Sequence, residues 1–338
     1  MDTPPGLDLD AVSSWLAATR PGLTRAPLRA SMIAGGKSNL TYRVTDGVTA
    51  WALRRPPLGH VLPTAHDMAR EFRVISGLAP MGIPVPEPVV LCSALDVIGA
   101  PFYLMSFVDG TVIDSDAAVA AVRGGTAARL GQTLIDCLLA LHAVDLSAAG
   151  LADFGRPDGF LRRQLIRWDK QWQASVGEPL SAQAEVVELL TTSLPVSGRA
   201  SVVHGDYRLS NVIYTADLDA VAAIVDWEMA TVGDPLADLG LLYVYHELAL
   251  TGAAVMPRMT AADGFLTPDQ LIARYAAATD RELSALPWYI GFGYFKLAVI
   301  LEGIAARYRQ GKTVGAGFAE VGAVVPMLLD AARTALTR

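Results

Sequence analysis

Residues 201–214 read SVVHGDYRLSNVIY, and they set His204, Asp206, Arg208 and Asn211 between two β-branched apolar runs. Such runs mark buried strands, so the polar side chains between them need hydrogen-bond partners or a chemical purpose. The chain continues as VAAIVDWEMATVGDPLADLG from residue 221, which puts Asp226 at the end of the strand-like AAIVD. A carboxylate and an amide on one loop, with a second carboxylate across a short hairpin, form an all-oxygen set. Such hard ligands suit Mg²⁺, an ion that keeps several waters and also binds nucleotide phosphates. Asp206 can then take a proton from a hydroxyl nucleophile while Asn211 and Asp226 hold the metal. Taken singly, Asp206 and Asn211 also read as turn caps, a common use of Asx residues.

Composition narrows the class. At 338 residues the chain has length for about two domains on a prior of roughly 150 residues each. With 52% hydrophobic and 18% charged residues it can fill a core. A formal charge of −7 gives nucleic acid or an anionic membrane surface no overall attraction. Cys92 and Cys137 form neither a disulfide framework nor a metal spacing. The start, MDTPPGLDLDAVSSWL, lacks the basic and apolar regions of a signal peptide. The most apolar stretch, 285–305, carries Lys296 and Glu302 and reads as a buried helix rather than a membrane span. The expectation is a soluble cytoplasmic protein without nucleic-acid or membrane partners.

Residues 28–107 contain the strand-like runs LRASMIA, LTYRV, TAWALR, PVVLC and PFYLMSFV, punctuated by Gly and Pro. One helical pattern interrupts them, TAHDMAREFRVISGL from Thr64, with Thr64 and Asp67 resembling a capping box and Met68, Phe72, Ile75 and Leu78 forming a stripe. From Asp114 the pattern turns helical: 116–145, 158–175, 181–194, 235–250, 268–279, 285–309 and 315–336, broken by two short strands around 211–225. In GDPLAD, Asp234 reads as an N-cap with Pro235 at the first helical position. The fold class is α+β: an N-terminal lobe, 1–107, of antiparallel sheet with one helix, a connector near 108–113, and a larger, mainly helical lobe, 108–338.

The spacing H-G-D-x-x-x-x-N at 204–211 resembles the H-R-D-x-x-x-x-N signature of protein kinases, which a metal-binding Asp follows. With Gly for Arg, and VDWE in place of the DFG-type turn, it is similar to the aminoglycoside phosphotransferase-like family of small-molecule kinases. That resemblance implies a bilobal protein-kinase-like fold, ATP and Mg²⁺ as cofactors, Asp206 as catalytic base, Asn211 and Asp226 as metal ligands, and His204 orienting the loop. His204 reads equally as a structural histidine. Arg208 stands near where many kinases carry a Lys beside the transferred phosphoryl group, or else is a solvated loop charge. Asp238 could brace the loop.

A kinase needs a phosphate-covering loop, a cation on the third strand and a helix carboxylate to position it. IAGGKSNLTYRV offers Gly35, Gly36 and Ser38 between two strands, although a plain turn would look the same. WALR at 51–54 aligns with the V-A-I-K strand signature, with Arg54 in place of Lys and Arg55 as a rival. Arginine keeps the charge and has a fork suited to phosphate. Glu71, at the edge of an apolar stripe, is the natural partner of Arg54. In PFYLMSFVDG the family's adenine-binding hinge falls on Met105, Ser106 and Phe107.

The resemblance spans roughly 28–310. The runs WALRRPPLGHVLPTAHDMAREFRVISGL, IGAPFYLM, VVHGDYRLSNVIY and VDWEMATVGDPLADLG are similar to phosphotransferase domains associated with acyl-CoA dehydrogenases, leaving no length for a dehydrogenase itself. This implies a hydroxyacyl-CoA or related hydroxy acid as acceptor and a functional association with such a dehydrogenase. Arg162, Arg163, Arg167 and Lys170 against Asp169 favour an anionic acceptor over a polycationic aminoglycoside, unless the run is a solvated helix face. Trp168, Trp172, Trp288 and Tyr289 read as core first. The alternatives are a nucleotide-binding module without transfer, an aminoglycoside or amino-alcohol kinase, and a metallohydrolase using His204 and Asp206.

Overall fold

The computed structural model describes residues 4–33, 39–58, 66–122, 125–176, 181–252, 256–259, 263–311 and 321–338. The chain divides into two compact units, Met1–Gly110 with Ala222–Glu228, and Thr111–Val221 with Met229–Arg338.

The first unit is built on a five-stranded sheet in the order β1-β2-β3-β5-β4, with β1 Arg29–Met32, β2 Leu40–Thr45, β3 Ala50–Arg55, β4 Pro88–Cys92 and β5 Phe102–Ser106. Every pairing is antiparallel. Helix α1, Leu9–Thr19, starts where the Asp8 side chain accepts from the amide of Ala11. It seals one face, burying Val12 and Leu16 with Tyr42, Val44, Trp51, Leu53, Phe102 and Leu104. Full burial of a side chain such as Leu53 or Phe102 is worth about 1.5–3 kcal/mol. The period-2 alternation of β3 places Ala52 and Arg54 on the other face, that of helix α2, Met68–Leu78. Asp67 caps α2 by accepting from the amide of Arg70, while Thr64 lies outside the described residues. The buried stripe of α2 is Met68, Glu71, Val74, Ile75 and Leu78. Phe72, expected in the stripe, is half-buried beside Tyr103 because Glu71 takes the inward position.

The second unit is mainly helical: α3 Asp116–Ala121, α4 Gly125–His142, α5 Phe160–Ser175, α6 Ser181–Thr192, α7 Leu236–Thr251, α8 Pro268–Ala277, α9 Leu286–Arg309 and α10 Val325–Leu336. The single helix expected over 116–145 is two, because the backbone turns extended at Val122; residues 123–124 lie outside the described residues. The helix expected from 315 starts at Val325, after a 3₁₀ turn at Gly322–Val324; residues 312–320 lie outside the described residues. Short strands sit among the helices: β6 Thr111–Val112 pairs with β8 Val212–Tyr214, and β7 Ser201–Val203 pairs with β10 Thr231–Gly233. Strand β9, Val221–Ile224, spans the division between the units.

Helices α7 and α9 approach closely. A Cβ at Gly240 would come within 2.5 Å of the Tyr289 backbone, so only glycine admits this contact. Helix α9 is long and apolar enough to cross a membrane, but 83% of its most apolar window is buried inside its unit, as expected of a core helix. Trp168, Trp172, Trp288 and Tyr289 are all buried.

Candidate active site

In the second unit, β7 delivers the chain into a tight loop that the 3₁₀ turn Leu209–Asn211 closes before β8. Gly205 has φ +85°, and a Cβ there would meet the Met229 carbonyl oxygen at 2.8 Å. Left-handed backbone with no room for a side chain explains glycine where protein kinases carry arginine. Buried Asp238 on α7 braces the turn, accepting from the amides of His204 at 2.7 Å and Gly205 at 2.8 Å. Burial alone would raise its pKa; the hydrogen bond and charge of His142, with His204 and Gly205, hold it below the usual carboxylate range. His204 is fully buried and its Nδ1 accepts from the Asp206 amide at 3.2 Å. This hydrogen bond ties the His204 ring to the turn.

Asp206 is ringed by donors. The Tyr245 hydroxyl on α7 donates to its Oδ1 at 2.5 Å, and the Asn211 Nδ2 donates to its Oδ2 at 2.9 Å and its carbonyl at 2.8 Å. The Arg208 Nε lies 3.3 Å from Oδ2, and the guanidinium stacks over the Tyr245 ring at 5.2 Å. Arg208 is therefore a packed partner of Asp206, not a solvated loop charge. Burial, then the adjacent Asp206 carboxylate, push the Tyr245 hydroxyl well above its usual pKa, so it stays a donor.

In the first unit Arg54 is the centre of a separate cluster. Its Nε donates to Glu71 Oε2 at 2.7 Å and its Nη2 to Asp226 Oδ1 at 2.5 Å. The cross-strand neighbour Tyr103 donates to Glu71 at 3.0 Å, and buried Asn39 donates to Glu71 at 2.8 Å and Glu228 at 3.1 Å. Burial opposes the Arg54 cation, but Glu71, Tyr103, Asp226 and Glu228 together raise its pKa. Glu71 itself is shifted up by burial, with Arg54 offsetting only part of that shift. Arg55 faces the other way, onto the carbonyls of Gly6 and Ile98, so Arg54 alone meets Glu71. Asp226 has φ +68°, a left-handed conformation that Asp tolerates and that aims its carboxylate at Arg54.

Gly35, Gly36 and Ser38 lie outside the described residues. Met105 is buried in β5. The amides of Ser106 and Phe107 are already bonded to the carbonyls of Glu87 and Ala50, which narrows what these two residues can offer a base to their carbonyls.

In the second unit Asn211 commits its amide nitrogen to Asp206, so its oxygen is the atom it could offer a hard cation; in the first unit the Asp226 side chain is 31% exposed, with Oδ1 bonded to Arg54. Among the described residues no group of three His, Cys, Asp or Glu side chains is placed to hold a metal. On α5, Arg163 is bonded to the carbonyls of Arg156 and Asp158, and Arg167 lies over Trp168 at 5.6 Å. Tyr245, Asn39 and Glu228 were not legible as site residues: a tyrosine in an apolar helix and an asparagine after GGKS carry no distinctive spacing.

A family model described as the phosphotransferase enzyme family matches residues 29–286. Acyl-CoA dehydrogenase family member 11 of Rattus norvegicus is 32% identical over 312 residues, 90% of this chain and 40% of that protein. The Gallus gallus member 11 is 32% identical, covering 96% of this chain and 43% of that protein. The chain thus spans well under half the length of these relatives. A solved structure of a candidate aminoglycoside phosphotransferase from Ralstonia eutropha aligns over 98% of both chains with a TM-score of 0.84 and 28% identity. The GDP complex of aminoglycoside 2'-phosphotransferase-IIIa aligns over 97% of this chain and 99% of that one, with a TM-score of 0.61 and 14% identity, a likeness of fold alone. The fold is the α+β, protein-kinase-like one, and the chain belongs to the phosphotransferase enzyme family.

Proposed function

We propose that this protein is an ATP- and Mg²⁺-dependent phosphotransferase acting on the hydroxyl of a small, anionic molecule, with hydroxyacyl-CoA or a related hydroxy acid the first candidate. The observation that carries the reading is the Tyr245 hydroxyl donating to Asp206 Oδ1 at 2.5 Å: a hydroxyl sits where an acceptor alcohol would give up its proton. In the reaction the acceptor oxygen bonds to the γ-phosphorus, the bond to the β,γ-bridging oxygen breaks, and the acceptor proton passes to Asp206. Asn211 and Asp226 would each offer an oxygen to Mg²⁺, which when bound would offset the charge on the phosphates. Arg54, held by Glu71, would meet the phosphates, and Met105, Ser106 and Phe107 would offer the base their carbonyls; Gly35, Gly36 and Ser38, outside the described residues, are assigned to the phosphates on the resemblance alone.

Two features support the acceptor class. Arg167 and Lys170 on α5 bring positive charge. The cavity beside Arg208 and Tyr245 is walled by Ile113, Val119, Leu242 and Met259, a lining suited to an aliphatic chain rather than a polyamine. It holds about 20 Å³, the space of one water.

Asp206→Asn should lower transfer by about 10²–10⁴-fold, the usual worth of a positioned base. Nucleotide affinity should be nearly kept. Comparable turnover in variant and wild type would falsify the base assignment. Transfer to kanamycin-like amines with none to any acyl-CoA would overturn the acceptor and leave the kinase reading standing.

A further inference from the structure

Lys296 stands out on α9, a helix long and apolar enough to cross a membrane, where it is 7% exposed. A buried ammonium is costly unless something compensates it. Among the described residues no carboxylate lies within salt-bridge distance of Lys296. Its Nζ instead donates to the carbonyl oxygen of Gly205 and sits 5.3 Å from the centre of the Trp168 ring on α5. Burial pushes its pKa down; Asp206 and Asp238 favour the cation, and Arg167 on α5 opposes it.

Gly205 is thus held at both ends. An anion, Asp238, takes its amide at 2.8 Å, and a cation takes its carbonyl. That residue is the left-handed one next to Asp206, where no side chain helps to fix the backbone. Two opposite charges from two helices, α7 and α9, pin one peptide, and the close packing of those helices at Gly240 sets their spacing.

We propose that Lys296 is a positioning residue for phosphoryl transfer: its buried ammonium tethers the Gly205 carbonyl and so fixes the backbone that presents Asp206. The catalytic meaning of the tether rests on the kinase reading; the tether itself does not. A core lysine kept only for packing would be replaceable by an apolar side chain of similar length at no loss, since buried charges are often replaced without cost to stability.

The test compares Lys296→Met and Lys296→Arg with wild type in steady-state phosphate transfer, thermal melting and hydrogen exchange of the peptide spanning 201–214. The expected result for Lys296→Met is a fall in kcat of about 10²-fold, the scale of a 1 Å misplacement. Both KM values should stay within about twofold, because neither substrate touches Lys296. The melting temperature should be level or higher, and loop amides should exchange at least about 10-fold faster. Lys296→Arg, which restores a cationic donor, should recover part of kcat. Full kcat in Lys296→Met, or a loss of kcat that tracks a loss of stability, overturns the proposal. If Lys296→Met does not fold, Lys296→Leu, which also lacks a donor, is read in the same way. If wild type transfers no phosphate, the kinase reading is what fails, and the tether is judged on exchange alone: unchanged loop exchange in Lys296→Met overturns it.

Discussion

Arg54 shows how one residue can depart from a motif and keep its geometry. The Lys expected on the third strand is replaced by a side chain with a planar, five-donor fork. Here the fork reaches two carboxylates at once, Glu71 at 2.7 Å and Asp226 at 2.5 Å. Glu71 is 2% exposed, so removing Arg54 leaves a buried carboxylate with only the neutral donors Tyr103 and Asn39, and removing Glu71 leaves the buried Arg54 cation with Asp226 as its hydrogen-bonded carboxylate. Breaking such a pair from one side costs about 3–5 kcal/mol, whereas removing both groups costs less than the sum. Denaturant titrations of Arg54→Ala, Glu71→Ala and the double variant should therefore show strong non-additivity; strictly additive losses would mean that the two side chains do not act as a pair. This pairing was legible in sequence because WALR alternates and Glu71 interrupts an apolar stripe. The HGDYRLSN loop was legible for the same kind of reason, as polar residues at fixed spacing between strands. Tyr245, which donates to Asp206 across 39 positions of sequence, was not. Nothing local distinguishes a tyrosine that reaches the Asp206 carboxylate from one that fills a core.

At the scale of elements, the strands of the sheet and most helices follow from apolar periodicity, because burial repeats every two or 3.6 residues. Strands β6 and β10 escape that reading: two or three residues are too few to show a period, and only pairing with β8 and β7 defines them. The start of α7 also shifts. Pro235 takes the cap position, and Asp234, read as the cap, accepts from the Leu236 amide at 3.1 Å and from the Tyr289 hydroxyl at 2.7 Å. Two elements carry buried histidines with a consequence for pH. Burial pushes His246 on α7 down to about 4, with a backbone hydrogen bond to Leu266 opposing, and burial lowers His142 on α4 as well. Between about pH 6.5 and pH 4 the unfolded chain binds a proton at His246 that the folded chain refuses. The unfolded state then holds more protons, so stability rises with pH through this window and is lost on acidification. For His246 the loss should reach about 3 kcal/mol at full depth, since each pH unit across that window weighs about 1.4 kcal/mol. Urea midpoints at pH 7.5 and pH 5 should differ in this sense, and His246→Gln should flatten the difference, leaving the part due to His142. An equally steep dependence in that variant would remove His246 as its source.

The largest scale holds what the sequence concealed most. Residues 222–228, which include Asp226, are late in the chain but cluster with the first unit, beside Arg54, while Asp206 and Asn211 belong to the second. No periodicity reports such a return; it depends on long-range packing, seen where the Ile224 amide donates to the Pro84 carbonyl at 2.7 Å. The matched family region, 29–286, contains both clusters, and the remaining length of the acyl-CoA dehydrogenase relatives lies outside the similarity. If the chemistry resides in these residues, a dehydrogenase can deliver or consume the acyl compound without contributing to phosphoryl transfer. The purified 338-residue chain should then transfer phosphate from ATP to a hydroxyacyl-CoA with no dehydrogenase or flavin in the assay. Adding an acyl-CoA dehydrogenase should leave the initial rate within about twofold, because uniform supply of substrate does not alter kcat. A chain that is silent alone and active only with the dehydrogenase present would place part of the active site on that partner and overturn the assignment of the whole transfer step to this chain.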